Sequence, residues 1–352
     1  LVVRPVFSVV IPTHNRAWLV IRAIDSALAS EGSVALEVIV VDDASTDATP
    51  QVLHERYVDE HRVSVLRSSV NEGPSGARNR GFAEASGTYV LFLDSDDTLL
   101  PHALAAALIA FDRRAEMQFL SLEGEERAVD GGFIERHVVR KGNPGWHTSD
   151  FKTGAYEQIA LTLPCEASIE RRMLTVGDFL PAILFGDLFY LSGLAMRREA
   201  VRRAGPFNRR FRFLEDWEFG ARLCLVGTGG YLDVVGFHRE TGRMDQLSML
   251  GTPWRRAVMH HHVLAAVRTT CSRMTMPLPR TLPRAQAAAD YWLGRCSNAR
   301  GHARIARRYF FRSLRAMHKT LKSAAWLIAG FAGPPLHYWH VRDHRIRGGP
   351  VA

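Results

Sequence analysis

Four short apolar runs punctuate the first hundred residues, and stretches of helical spacing separate them. The runs are residues 7–11, 36–41, 63–66 and 90–93. Between the first two, residues 17–29 place Trp18, Ile21, Ile24 and Leu28 on one helical face. A short helix with Pro50 in its first turn follows the second run, and residues 75–85 read as a helix after the third. Strands joined by helices of this length imply a parallel sheet with right-handed crossovers. Continuous rather than alternating hydrophobicity is the mark of strands covered on both faces. In open sheets of this kind, ligands sit outside the carboxyl ends of the strands. Polar clusters stand at three of those ends: Pro12-Thr13-His14-Asn15, Asp42-Asp43-Ala44-Ser45 and Asp94-Ser95-Asp96-Asp97. They predict one site.

Each cluster has its own chemistry. If the fourth strand continues through the acids, alternation puts Asp94 and Asp96 on one side and Ser95 on the other. Paired carboxylates suit a hard divalent cation such as Mg²⁺ or Mn²⁺, completed by substrate phosphates. The plainer reading is a solvated acidic turn, with Asp97 or Thr98 capping the helix after Pro101. Asp43 is placed to accept hydrogen bonds from the N–H edge of a nucleobase. Its alternative is a helix N-cap, a role open to Ser45 or Thr46 as well. Arg78 stands near the start of its helix, within reach of a phosphate or base, or simply solvated. Gly73 and Gly76 permit close backbone approach. The chain has neither a G-x-G-x-x-G fingerprint after the first strand nor a P-loop, which argues against a dinucleotide fold or a P-loop kinase.

Taken together, Ser8-Val9-Val10-Ile11-Pro12-Thr13-His14-Asn15, Val40-Val41-Asp42-Asp43-Ala44-Ser45-Thr46-Asp47, Asn71-Glu72-Gly73-Pro74-Ser75-Gly76-Ala77-Arg78-Asn79 and Phe92-Leu93-Asp94-Ser95-Asp96-Asp97 resemble a family 2 glycosyltransferase of GT-A fold. The resemblance covers about residues 6–112. It implies an α/β fold with a Rossmann-like, mostly parallel sheet flanked by helices, and an inverting transferase using a nucleotide-diphosphate sugar. By that resemblance, Pro12, Thr13 and Asn15 line the nucleotide pocket, Asp43 reads the base, and Arg78 and Asp94 also lie on the donor. Asp96 ligates Mg²⁺ or Mn²⁺ at the diphosphate. His238 is a third metal ligand or a phosphate partner, or else structural. In the later segment Phe213-Leu214-Glu215-Asp216-Trp217-Glu218, an acidic pair opens a helix whose apolar face runs through Trp217, Ala221 and Cys224. The pair alone reads as acids complementing a helix dipole. The resemblance makes Asp216 the catalytic base and puts Ser192, Gly193, Glu215 and Trp217 near the acceptor.

Between these segments, residues 113–190 say little. Gly131-Gly132 looks like a hairpin turn, 142–145 another turn, 179–185 a short apolar helix and 188–196 a strand. A further strand, 230–235, precedes His238-Arg239 and Asp245-Gln246-Leu247-Ser248.

Charge divides the chain. Residues 252–352 hold 18 Lys/Arg and two acids, a balance of +16, against −7 for the remainder. We therefore expect a catalytic body over 1–250, split into a donor half (6–112) and an acceptor half (113–250), and a basic helical region over 251–352. In the latter, Arg300, Arg304, Arg307, Arg308, Arg312 and Arg315 recur around Ile305, Tyr309, Phe310 and Leu314. The apolar stretch 321–331 is too short to span a bilayer but suits an interfacial anchor on anionic lipid. The alternative is helices packed on the body with solvated arginines. No nucleic-acid-binding module is visible, and nucleic acid is not expected as a partner. Four scattered cysteines and the absence of a visible leader suggest a cytoplasmic protein, peripheral to the inner face of the membrane.

The expected activity is metal-dependent transfer of a single hexosyl unit, UDP-sugars being the favoured donors, to a glycan or lipid-linked acceptor in cell-surface polysaccharide synthesis. The Gln-x-x-Arg-Trp segment and membrane spans of processive synthases are not seen. The rivals are a sugar nucleotidyltransferase, whose Gly-rich loop is missing, and a catalytically inactive binding protein, against which Asp43, Asp96 and Asp216 speak.

Overall fold

The computed structural model describes residues 5–30, 34–142, 146, 156–165, 168–211, 213–243 and 252–316. The turn expected at 142–145 (beyond residue 142), the segment Asp245–Ser248 and the apolar stretch 321–331 lie outside these residues.

Strands β1 (Phe7–Thr13), β2 (Leu36–Asp42), β3 (Val63–Arg67) and β4 (Tyr89–Phe92) alternate with helices α1 (Ala17–Leu28), α2 (Thr49–Tyr57) and α3 (Gly73–Glu84). They pair in the order β3-β2-β1-β4, all parallel, with Phe7 opposite both Leu36 and Tyr89. Strands β1 and β4 are buried throughout, which is why they read as mainly apolar runs. Edge strand β3 leaves Ser64, Val65 and Arg67 exposed.

After β5 (Asp97–Leu99) and α4 (Ala103–Arg113), the sheet continues with mixed pairing. It gains β6 (Phe119–Ala128), β7 (Phe133–Arg136), β8 (Tyr156–Cys165), β9 (Ser168–Gly177), β10 (Leu194–Arg197) and β11 (Gly229–Thr241). Antiparallel β10 joins the halves between β4 and β6, while β6 and β11 run parallel. The β6–β7 hairpin turns at Gly131-Gly132 as expected. Of the strand expected at 188–196, only its end is a strand; Leu191–Gly193 forms a 3₁₀ turn before β10. The strand expected at 230–235 runs on to Thr241, so His238 and Arg239 lie within it.

Short helices α5 (Val138–Gly142), α6 (Leu180–Ile183) and α7 (Arg198–Ala204) decorate this half, and α8 (Glu215–Cys224) is buried along nearly its whole length. Stacked Phe207 and Phe219 (4.1 Å) meet the edge of Phe92, locking α8 against the centre of the sheet. Helices α9 (Pro253–Arg273), α10 (Leu282–Ala299) and α11 (Ala303–Ala316) form the helical C-terminal region. Among the described residues, no helix is long and apolar enough to cross a membrane. Cys224, Cys271 and Cys296 are free and buried.

Helix α3 lies close on the sheet because Gly81 has no side chain. A Cβ there would stand 2.4 Å from Val10 Cγ1 and 3.1 Å from Val41 Cγ2. Both valines are stiff at χ1 and fixed in fully buried strands. The resulting overpacking outweighs the ~1 kcal/mol of helix propensity that alanine would add. We expect Gly81→Ala to lose about 1–2 kcal/mol, read as a lower denaturation midpoint at unchanged m-value.

Candidate active site

Strand β4 stops at Phe92, and the acids that follow form a turn in which Asp97 N–H donates to the Asp94 carbonyl (3.0 Å). The expected alternation of Asp94 and Asp96 along a strand is therefore incorrect, because the strand ends before the acids begin. Ser192, on the 3₁₀ turn, fastens this loop from beneath. Its hydroxyl accepts from Asp94 N–H (3.2 Å) and donates to Asp97 Oδ2 (2.5 Å). Asp97 is buried rather than capping a helix. Burial and the charges of Asp96 and Asp94 push its carboxyl well above the usual range. Sequence reasoning counted Asp97 in the acidic cluster but gave it no role of its own beyond the helix-cap alternative.

Asp96 is clasped by two arginines: its Oδ2 lies 2.8 Å from Arg16 Nη1 and 2.6 Å from Arg243 Nη2. Arg243 also reaches Glu240 (2.6 Å), which in turn meets Arg22 (2.6 Å). Neither Arg16 nor Arg243 was picked out from the sequence, since single arginines in loops carry no local signature. A hard cation needs oxygen ligands and commonly takes one carboxylate with substrate phosphates and water, so Asp96 is a suitable donor. Among the described residues, no three His, Cys, Asp or Glu side chains gather as a metal-holding set. His238 sits on β11 with its backbone opposite Thr98, and the structure gives it no such set to complete.

The three nucleotide-side residues of β1 stand at the expected edge. Pro12 pairs with Val41, and Thr13 with Asp42. Thr13 Oγ1 is buried without a hydrogen-bond partner among the described residues. Asn15 is exposed in a left-handed conformation, φ 52°. Its Oδ1 accepts from Thr46 N–H (2.8 Å) and its N–H donates to Ser45 Oγ (2.9 Å), tying the β1 and β2 loops together. Asp43 is buried, and its two oxygens accept backbone N–H groups of Glu72 (3.0 Å) and Gly73 (2.7 Å). In this arrangement Asp43 anchors the β3–α3 loop. A cleft of about 610 Å³ opens beside it, lined by Ala44, Ser45, Thr46, Arg67, Ser68 and Ser69. That volume lies in the range of small-ligand pockets.

Arg78 is not at a phosphate-facing surface. It is almost wholly buried, stacked 5.5 Å over the Phe207 ring, and joins Asp94 Oδ1 (2.7 Å) to Glu215 Oε1 (2.8 Å). Desolvation at this depth demands paired charge, and both carboxylates supply it. Arg78 is thus a strut between the two halves, and Glu215, expected at the acceptor, is its buried counter-ion. Trp217 is also withdrawn from the acceptor: its ring packs on His260 (5.1 Å) and its indole N–H donates to Ile183 O (2.7 Å). Gly193 is buried too, and a Cβ there would meet the Phe237 ring at 2.5 Å. Ser192 and Gly193 therefore support the acidic turn from behind rather than facing an acceptor.

Asp216, by contrast, is the one partly exposed residue in the first turn of α8. Burial and the charges of Asp187 and Glu215 push its carboxyl well above the usual range, while Trp217 N–H and Arg78 oppose that shift. Asp187 lies near enough for its charge to be felt at Asp216. It accepts from Leu188 N–H (2.8 Å), and burial, with the Glu215 charge adding to it, raises its carboxyl to about 7. No sequence signal marked Asp187, which falls in the unreadable stretch before the 3₁₀ turn. The upward shift makes the ionised form of Asp216 a stronger proton acceptor than an ordinary carboxylate.

Residues 8–144 match the model of the family described as Glycosyl transferase family 2. The succinoglycan biosynthesis protein ExoO of Rhizobium meliloti is 41% identical over 262 residues, covering 70% of this chain. The chain spans 64% of ExoO's own length. Among solved structures, S. aureus TarS 1–349 in complex with UDP-GlcNAc superposes with a TM-score of 0.54 at 19% identity, over 90% of this chain and 93% of that one. The mannosyltransferase PcManGT from Pyrobaculum calidifontis, in complex with GDP-Man and Mn²⁺, gives 0.50 at 19% identity, over 94% and 81%. At such identities these two structures speak to the fold. Residues 8–144 thus match glycosyl transferase family 2, and the chain has the GT-A fold of its structural relatives.

Proposed function

We propose that the protein is an inverting glycosyltransferase of polysaccharide biosynthesis. It moves one sugar from a nucleotide-diphosphate sugar, held by residues 6–112, to a hydroxyl of a glycan or lipid-linked acceptor met by residues 113–250. The observation that carries this reading is the Asp94–Arg78–Glu215 bridge. A single buried guanidinium sets the acidic turn at fixed distance from Asp216, the next residue along. The donor side and the proton acceptor are thereby held in one rigid frame, which is what orientation demands of a displacement at one carbon.

In that displacement the acceptor oxygen bonds to the anomeric carbon, the bond to the diphosphate breaks on the opposite face, and the hydroxyl proton passes to Asp216. Asn15, Thr13 and the 610 Å³ cleft offer a place for the nucleotide. Asp96 would hold a divalent cation, which would neutralise charge on the leaving diphosphate. Arg16 and Arg243, now on Asp96, hold that carboxylate in place. The TarS fold relative was captured with UDP-GlcNAc, and PcManGT with GDP-Man and Mn²⁺, so UDP- and GDP-sugars are the donors to try first.

Calorimetric titration of the purified chain with UDP-, GDP- and dTDP-sugars, with and without Mn²⁺, tests the reading. We expect one nucleotide class to bind with Mn²⁺, chelation to weaken it, and Asp96→Ala to abolish the metal-dependent part at unchanged circular dichroism. Full metal-dependent affinity in Asp96→Ala would remove the cation from that residue. No binding or hydrolysis of any donor would return the chain to a binding role.

A further inference from the structure

Helix α11 packs on α10 through one face only. Ala306 and Ser313 are buried there, the Ser313 hydroxyl donates to Ala287 O (2.7 Å), and Phe310 fills the space above Gly294. The other face carries Arg304, Arg307, Arg308, Arg312 and Arg315, and α11 has no acid. Arg312 lies 3.5 Å from Asp290. Among the described residues, Arg304, Arg307, Arg308 and Arg315 enter no ion pair.

Two large apolar side chains stand in this basic field. Phe311 is 65% exposed and Ile305 48%. At 3.6 residues per turn, Arg304, Arg307, Arg308 and Arg315 lie seven, four and three residues before Phe311 and four after it, so all surround the ring on one face. Phe311 thus stands exposed among arginines that enter no ion pair among the described residues. This is the arrangement in which cations meet lipid headgroups while the ring enters the acyl boundary. Ile305 favours lipid over nucleic acid: an aliphatic side chain has no face on which a base could stack, whereas the acyl boundary rewards it. The charge is matched by the region as a whole, +16 over residues 252–352.

We propose that the outer face of α11 docks the protein onto an anionic membrane surface, with the arginines on the headgroups and Phe311 inserted. This goes beyond the transferase reading and stands or falls separately from it.

The test uses the full chain and vesicles of phosphatidylcholine with or without phosphatidylglycerol. Co-sedimentation should require phosphatidylglycerol and fall steeply with salt. Arg304→Ser/Arg308→Ser/Arg315→Ser should weaken vesicle binding about a hundredfold, given roughly 1 kcal/mol per basic residue at such a surface. Phe311→Ser should weaken it while keeping the salt dependence. These exposed sites lie outside the catalytic machinery, so unchanged melting temperature and donor binding would show that the variants remain folded. Undiminished vesicle binding by the triple variant, equal binding to neutral vesicles, or displacement from vesicles by duplex DNA at low concentration would each overturn the proposal.

Discussion

Replacing Asp216 by Asn lowers turnover about 10²–10⁴-fold, the range for losing a general base, and leaves donor affinity nearly unchanged. The substitution keeps size, keeps an oxygen for Trp217 N–H (2.8 Å), and keeps an N-terminal polar group on α8. What it removes is a carboxylate able to accept the acceptor's proton. The pH profile carries a second signature. Because burial, Asp187 and Glu215 raise the Asp216 carboxyl, kcat/KM should fall on the acid side at a pH above the ordinary carboxylate range. Negative charge on Asp187 contributes to that rise, so Asp187→Asn should move the acid limb to lower pH. Opposite movement, or no movement, would separate Asp187 from the base. Near-normal turnover by Asp216→Asn would send the role elsewhere.

Much of the donor half is legible in the sequence because its physics is local. β1 and β4 are buried throughout and β2 nearly so, so apolar side chains dominate each strand, and each must end where polar side chains emerge. The turn at Asp94–Asp96 is misread as strand for a related reason: periodicity sees apolar residues, and nothing in Leu93-Asp94 marks where pairing stops. Arg78 shows a different limit. Its sequence neighbours Ala77 and Asn79 suggest an ordinary helix surface, and the burial comes from Phe207 and Glu215, more than a hundred residues away. The same holds for Trp217, whose place at a helix start says nothing of the Ile183 carbonyl and His260 ring that enclose it. The Arg16–Asp96–Arg243 clasp arises only from tertiary contacts, and no window of sequence contains both its ends; the raised carboxyl of Asp187 likewise depends on burial and on Glu215.

Arg78→Leu is the substitution with the largest expected effect on stability. The guanidinium is the buried counter-charge of Glu215 at 2.8 Å and of Asp94 at 2.7 Å. Glu215 is itself buried, so removing Arg78 leaves a carboxylate with neither solvent nor partner. Breaking a buried pair from one side costs about 3–5 kcal/mol. Asp94 is 40% exposed on its side chain and adds little, because water can replace its partner. Arg78→Lys should rescue only in part: one ammonium cannot fork to two carboxylates on opposite sides, and it loses the flat stack on Phe207. The double variant Arg78→Leu/Glu215→Gln should recover a large part of the loss, since the orphaned charge is gone with its partner. Urea denaturation of the four proteins decides the matter. If Arg78→Leu alone lost less than about 1 kcal/mol, the strut would be a surface-like pair of the usual small worth, and the rigid frame between the acidic turn and Asp216 would need another support.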